Sequence, residues 1–226
     1  MVKININNEQ YAIPQRLTIE HYNTLLQFDW EDPKYYPLIV SQLVNAPLPL
    51  LAKADPVPLT LGIAFAVKAM NNRAEVEMID LEEITFGQFI DLDVYLTIGI
   101  DKHFRDIAKI LCPKAEWGDE VMWAIEKYVQ FRTYVYRQYK VLFGLTDDLD
   151  TMAGESEDVI KTNIAKSWYT IIVEIAQDDI LKIDEVTSQP LKKALNYMAL
   201  VKERQIEENL KVLKQKRQYD LQRTRR

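Results

Sequence analysis

The side chains that most often bind transition metals are rare in this sequence, which has two histidines and one cysteine. His21 and His103 lie far apart, and neither has a ligand spacing to Cys112 or to an acidic cluster. A zinc site needs three or four converging ligands. We therefore interpret both histidines as ordinary helix-surface residues and expect no metal site here.

Clustered carboxylates are the second group that could do chemistry. Asp147, Asp148 and Asp150 lie together as in calcium loops, but the glycine and the closing glutamate of an EF-hand loop are missing. Asp91 and Asp93 are two residues apart, which on a helix directs them to different sides. A metal-dependent nucleic-acid enzyme would have to hold magnesium on such groups, and their spacing does not favour it.

Known catalytic motifs are absent from the sequence. It contains no glycine-rich phosphate loop, no Gly-x-Ser-x-Gly and no His-Glu-x-x-His. We therefore predict that the protein is not an enzyme and uses no cofactor.

One aromatic and basic cluster allows two interpretations. Its residues could stack on single-stranded nucleic acid and neutralise the phosphates. At helical spacing, however, such residues more often lie half in the core and half on a protein-contact surface, and we favour that interpretation. The cluster consists of Arg132, Tyr134, Tyr136, Arg137 and Tyr139.

Composition and charge favour a mainly helical protein with an uneven charge distribution. Glycine occurs six times in 226 residues, and 48% of the residues are hydrophobic. The segment Ala74–Asp101 has eight acidic residues and no lysine or arginine, whereas Lys211–Arg226 has seven basic residues and one acidic residue. The single cysteine excludes an intrachain disulfide. We expect a soluble protein made in the cytoplasm, without a membrane span.

The segment Glu83–Pro113 predicts two helices around which the chain is organised. Thr85 and Gln88 form a capping-box pattern, so a helix should begin directly after Thr85. Gly99 should end this helix, and Pro113 should end the next one. Asp101 is expected to cap the second helix, whose apolar stripe consists of Phe104, Ile107, Ala108 and Leu111. We expect Phe89 of the first helix and Phe104 of the second to be buried.

The remaining sequence predicts a multi-helix bundle with a small N-terminal β-hairpin and a long C-terminal helix. The hairpin spans Val2–Ile13, with its turn at Asn7 and Asn8. Further helices are predicted at 18–28, 37–44, 59–70, 118–143, 159–180 and from 188 onward, with an exposed acidic loop at 145–158. We interpret Pro56 and Pro58 as breaks, expect the mostly apolar helix at 59–70 to be buried, and expect Gly144 to end the helix at 118–143. We divide the chain into an N-terminal hairpin and helical subdomain at 1–113, an aromatic-rich helical subdomain at 114–187, and a C-terminal helix with a basic arm at 188–226.

The C-terminal helix changes its apolar face along its length. Leu191, Leu195 and Met198 mark the first face, and a slightly rotated face follows with Ala199, Ile206, Leu210 and Leu213. Apolar residues become rare after Leu213, so we predict an interaction arm at the basic end. Its candidate contact residues are Lys211, Lys214, Lys216, Arg217, Arg223, Arg225 and Arg226. Acidic protein surface is the favoured target, and DNA is the alternative.

Three stretches resemble assembly proteins of tailed bacteriophages. The first, 4–20, resembles the opening hairpin and Leu-Thr helix start of small assembly proteins, including tail assembly chaperones. The second, Thr-Phe-Gly-Gln-Phe-Ile-Asp-Leu-Asp-x-Tyr at 85–95 followed by Ile-Leu-Cys-Pro at 110–113, resembles a phage segment written Phe-Gly-x-Phe-Ile-Asp-Leu with a later Leu-x-Arg-Pro. Cys112 stands where those proteins have arginine. The third, 195–203, resembles their closing helix.

Among phage proteins, these stretches most resemble the virion and assembly proteins of crAss-like phages of Bacteroides. This resemblance implies a non-enzymatic structural or cargo protein in the virion, made in the cytoplasm of the host bacterium. The partners it implies are portal, ring or tail proteins, with a homo-oligomer in the particle as a further form. The alternative is a cytoplasmic tail assembly chaperone that is absent from the mature virion.

Overall fold

The computed structural model describes the backbone of residues 2–143 and 167–223, with side chains for 3–143 and 167–217. The predicted acidic loop at 145–158, with Asp147, Asp148 and Asp150, lies outside these residues. So do the helix stop expected at Gly144, the first part of the helix predicted at 159–180, and Arg225 and Arg226.

The described part of the chain is mainly helical, with a two-stranded N-terminal sheet and a long C-terminal helix, which confirms the predicted fold class. The sheet pairs β1 (Val2–Ile6) antiparallel with β2 (Glu9–Ile13). Asn7 and Asn8 form the turn with φ of 49° and 68°, the left-handed angles that a tight hairpin requires. The hairpin buries Ile4, Ile6 and Ile13.

The chain forms two compact units, and two helices run from one unit into the other. The first unit contains residues 1–80 and 92–129, and the second contains residues 81–91 and 130–226. The division at 113 and 187 that we drew from the sequence stays a prediction.

The first unit contains the hairpin and the helices of the N-terminal half. In chain order these are α1 (Ile19–Leu25), a 3-10 turn (Pro33–Tyr35), α2 (Tyr36–Val44), α3 (Leu48–Leu51) and α4 (Pro56–Asn71). They are followed by the end of α5 (Phe86–Ile98), by α6 (Ile100–Leu111) and by the start of α7 (Gly118–Gln138).

The second unit contains the beginning of α5, the end of α7 and the C-terminal elements. These are α8 (Lys140–Phe143), a helical stretch at 167–175, a 3-10 turn (Ile180–Lys182), α9 (Ile183–Thr187) and α10 (Leu191–Arg223). The helix predicted at 118–143 is therefore two helices, α7 and α8, and the last helix begins at Leu191 and not at 188.

The local capping predictions for α5 are confirmed. The Thr85 backbone N–H donates to Gln88 Oε1 at 3.1 Å, and the Gln88 backbone N–H donates to Thr85 Oγ1 at 3.2 Å. Gly99 separates the two helices with a φ of 139°. Asp101 does not cap α6 as predicted, because the cap residue is Gly99 and the helix already begins at Ile100.

Helix boundaries near prolines differ from those that we predicted. α4 begins at Pro56 and not at Leu59, because Asp55 accepts from the Val57 backbone N–H at 2.9 Å and proline suits a first turn. One side of α4 is exposed, although we expected this helix to be buried. α1 ends at Leu25, three residues before the predicted end.

Candidate protein-interaction helix

The first two turns of α10 are fixed in the second unit by packing and by hydrogen bonds. The Leu191 backbone N–H donates to the Ile84 carbonyl at 2.9 Å, and the Tyr139 hydroxyl donates to Asn196 Oδ1 at 2.8 Å. Lys192 forms an ion pair with Glu82. The predicted inner face is confirmed, since its residues are buried: Leu191, Leu195 and Met198, with Ala194 beside them.

From residue 202 to residue 217 the same helix is exposed on all sides. Every residue from 202 to 217 is exposed. Ile206, Leu210 and Leu213 are 42%, 51% and 54% exposed, so the second apolar face predicted from the sequence projects from the helix into solvent. We call these three residues the α10 stripe.

Acidic and basic residues are concentrated in different parts of this exposed segment. Residues 203–208 carry three carboxylates, of Glu203, Glu207 and Glu208, together with the guanidinium of Arg204. Residues 211–217 carry four basic groups and no acidic group. Four of the predicted contact residues lie in this basic part and are exposed: Lys211, Lys214, Lys216 and Arg217. Arg223 ends α10, and its side chain lies outside the described ones.

The two histidines contact other protein side chains, and the cysteine is buried, so none of them lies in a metal or thiol site in the part of the chain that the structure describes. His21 Nδ1 lies 3.0 Å from Thr18 Oγ1, and His103 stacks on Tyr95 with the ring centres 4.5 Å apart. Cys112 is buried, and burial raises the pKa of its thiol to about 12, so the thiol stays protonated at neutral pH. Among the described residues, no three His, Cys, Asp or Glu side chains are grouped closely enough to hold a metal ion.

Three residues of the aromatic and basic cluster at the end of α7 contact other protein groups, and Arg137 is exposed. Tyr136 stacks on Phe143 with the ring centres 4.3 Å apart, and the Arg132 guanidinium lies 4.7 Å from the centre of the Tyr136 ring. The Tyr139 hydroxyl is bonded to α10, as described above. Tyr134 remains half exposed. This arrangement favours core and protein contact over stacking on single-stranded nucleic acid.

Sequence reasoning missed a second exposed apolar feature. Ile180 and Leu181 are 75% and 87% exposed on the 3-10 turn before α9. Gln177 and Asp178 precede them with φ of 57° and 59°, angles that residues other than glycine rarely adopt. The sequence gives no glycine or proline signal at this turn, so its exposure could not be predicted from local patterns.

Comparison of the chain with known protein families, proteins and structures assigns it to no family. Neither a protein-family model, nor a curated protein, nor a solved structure matches the chain. In the described ranges, the search for membrane spans finds no helix with the length and apolarity to cross a bilayer.

Proposed function

We propose that this chain is a non-enzymatic structural or cargo protein of a tailed-bacteriophage virion, made in the bacterial cytoplasm. It acts through protein–protein contacts in the particle, at the portal and tail region or in the packaged interior. The exposed part of α10 is the contact element, and the partners are other virion proteins, including further copies of this chain. The function requires no cofactor.

The observation that carries the proposal is the helical segment at 202–217, which is exposed at every residue. Folded proteins normally bury one stripe of a helix against their own core. This segment instead offers the α10 stripe and separate acidic and basic surfaces, which suits a helix that binds another protein.

The resemblance to phage assembly proteins at 4–20, 85–95, 110–113 and 195–203 supplies the biological setting. The last of these stretches ends where the exposed segment begins. The resemblance and the exposed helix therefore support the same interpretation, in which the C-terminal helix extends from the folded protein to a partner.

Mass spectrometry of purified virions tests this function. We expect peptides of this chain to remain with the particles through density-gradient purification and to be absent from a mock-infected preparation carried through the same steps. A cytoplasmic tail assembly chaperone would be abundant in infected cells and missing from the particles. The exposed Ile180 and Leu181 would also suit such a chaperone, which binds apolar surface of its client, so absence from the particles would favour that function.

A further inference from the structure

The exposed segment of α10 has no packing against the rest of the described chain to stabilise it, because every residue from 202 to 217 is exposed. Its sixteen residues, 202–217, span about 24 Å at 1.5 Å per residue. Isolated helices of about this length are marginal in water. Covering one side of this segment would therefore stabilise it.

The spacing of the apolar residues indicates what kind of surface would cover it. Ile206, Leu210 and Leu213 are separated by four and three residues, which places them on one narrow face. Ala199 lies seven residues before Ile206 and Arg217 seven after Leu210, so the same face continues in both directions. A narrow stripe with this spacing is typical of a seam between two paired helices, because a helix lying on a globular core shows a wider apolar face.

The helix dipole does not account for the order of the charges. The dipole favours acidic residues in the first turn, but the first turn of α10 has none and carries Lys192 and Lys193. The carboxylates of Glu203, Glu207 and Glu208 come more than three turns later, in the middle of the helix. Their position therefore has another cause.

We propose that this segment pairs with the same segment of a second copy of the chain, in an antiparallel two-helix contact whose two-fold axis lies near Leu210. Leu210 then meets Leu210 of the second copy, and Ile206 lies near its Leu213. Antiparallel pairing also brings the acidic part, 203–208, to the level of the basic part, 211–217, of the second copy. Each half of the contact is thus complementary in charge to the other.

A parallel arrangement is disfavoured by the same charges. It would place Glu203 opposite Glu203 and Arg217 opposite Arg217, and both positions lie at or beside the α10 stripe. Like charges at such positions select against a pairing mode, and this is how paired helices commonly fix their orientation.

The size of this contact predicts a weak association. The stripe contributes three apolar side chains from each copy over about 12 Å, which is small beside a standard interface of about 1,600 Å². The pair would therefore form mainly where copies are held together at high effective concentration. The inference rests on the proposed function in one respect, namely that the exposed part of α10 is the contact element.

Nucleic acid fits this segment less well than a second copy does. Phosphates would be attracted by the basic residues at 211–217 but repelled by the carboxylates of Glu203, Glu207 and Glu208. Binding to phosphates would also leave the α10 stripe uncovered. DNA binding is therefore treated as an outcome that the experiment has to exclude.

Sedimentation equilibrium of the full chain over a range of concentrations measures the self-association. Leu210→Gln removes the central apolar contact from both copies, and we expect it to weaken dimerisation by about tenfold or more. Val212→Gln is the matched control, because Val212 is equally apolar and 61% exposed but lies away from the stripe. It should change the dimerisation constant by less than about twofold.

The charges and the orientation are tested with exchanged variants. Glu203, Glu207 and Glu208 are replaced by lysine in one variant, and Lys211, Lys214 and Lys216 by glutamate in the other. Each variant alone should be monomeric, and an equal mixture should associate. For the orientation, Glu203→Cys is mixed with Arg217→Cys and treated with a short bismaleimide. We expect crosslinks between the two variants and few within Glu203→Cys alone.

Several results would overturn the inference. They are a monomer at every concentration, an equal effect of Leu210→Gln and Val212→Gln, or crosslinks that form mainly within Glu203→Cys. Tight binding of the full chain to duplex DNA that Leu210→Gln does not change would equally assign the segment to another partner. Detection of the chain in virions does not depend on these outcomes, so the proposed function and the pairing can fail separately.

Discussion

The Tyr22 ring lies directly against the backbone of Gly118. A Cβ atom added at residue 118 would stand 2.1 Å from Tyr22 Cδ2, far inside the closest approach of two carbon atoms. The Tyr22 ring also stacks on Phe104, with the ring centres 5.0 Å apart and an angle of 8° between the ring planes. The Tyr22 hydroxyl donates to the Met70 carbonyl. Tyr22 is therefore tightly packed in the core of the first unit, and only glycine fits at position 118.

Gly118→Ala should destabilise the protein by about 1–3 kcal/mol, the usual cost of overpacking a core. The methyl group has to displace a ring that is held by both Phe104 and Met70. Chemical denaturation measures the change in the free energy of unfolding. Gln130→Ala, an exposed substitution on the same helix, is the control and should change it by less than about 0.5 kcal/mol. If Gly118→Ala and Gln130→Ala had the same free energy of unfolding, the Tyr22 ring would be able to move away from the added methyl group.

Phe104→Ala and Phe89→Ala should each cost about 3–5 kcal/mol. Both phenylalanines are fully buried, as predicted. Phe89 also meets Trp168 edge-on, with the ring centres 6.1 Å apart. Val57→Ala is the control, because Val57 is exposed on α4. If both phenylalanine variants unfold within about 0.5 kcal/mol of the wild type, these side chains do not form the cores of their units.

Stability should fall in alkaline solution because two buried acids keep their protons in the folded state. Burial raises the pKa of Cys112 from 9.0 to about 12 and that of Tyr22 from 10.0 to about 12. Above pH 9 the unfolded chain loses the thiol proton while the folded chain retains it. The free energy of unfolding therefore falls as the pH rises, by up to about 1.4 kcal/mol per pH unit for each group.

Urea unfolding at about pH 8 and about pH 10.5 measures this loss. Cys112→Ala removes one of the two groups, so its stability should fall less between these pH values than that of the wild type. Equal falls in the two proteins would contradict the prediction. The control is the interval from about pH 6 to about pH 8, which lies below both ordinary pKa values and where the two proteins should respond alike.

Arg16→Ala should destabilise the first unit by about 2 kcal/mol. The Arg16 guanidinium donates to Asp119 at 2.7 and 2.9 Å and to Glu120 at 2.9 Å, and Asp119 is buried. Removing the arginine leaves a buried carboxylate without its main partner. Lys114→Ala is the matched control, because Lys114 and Glu77 are 72% and 73% exposed and such pairs contribute about 0–1 kcal/mol. If Arg16→Ala and Lys114→Ala lowered the temperature of thermal unfolding equally, Asp119 would have to be in contact with water.

The features that could be predicted from the sequence depend on neighbouring residues. Asn7 and Asn8 specify a tight turn, and Thr85 with Gln88 specifies a helix start, because in each case the groups that interact lie within three residues. The apolar stripe of α6 follows from its period alone. These predictions needed no knowledge of the tertiary structure.

Long-range contacts and proline boundaries could not be predicted in the same way. Arg16 and Asp119 are separated by 103 residues, and nothing in either segment indicates that they meet. Pro56 was interpreted as a break, although Asp55 before it is a helix cap and proline belongs in the first turn. In the candidate site, the second apolar face of α10 could be read from its spacing, but its exposure could not, because exposure depends on where the rest of the chain packs.

Deleting Gln215–Arg226 should leave the stability of the fold within about 0.5 kcal/mol of the full chain. The described part of this segment, Gln215–Arg217, is exposed, so little apolar surface returns to water. The deletion should nevertheless weaken association with an acidic protein partner, because it removes five of the seven basic residues of the arm. Thermal unfolding and binding to purified portal or tail proteins measure the two effects.

The salt dependence of this binding separates the two classes of partner. Exposed charges are screened beyond about 8 Å at physiological ionic strength, so binding to an acidic protein surface should weaken moderately as salt rises. Duplex DNA would instead give a steep slope, about −0.9 in the logarithm of affinity for each phosphate neutralised. Lys53→Gln removes an exposed basic group from the first unit and serves as the control, with binding unchanged. If the full chain and the truncated chain bind equally at low and at high salt, the basic end is not an interaction arm.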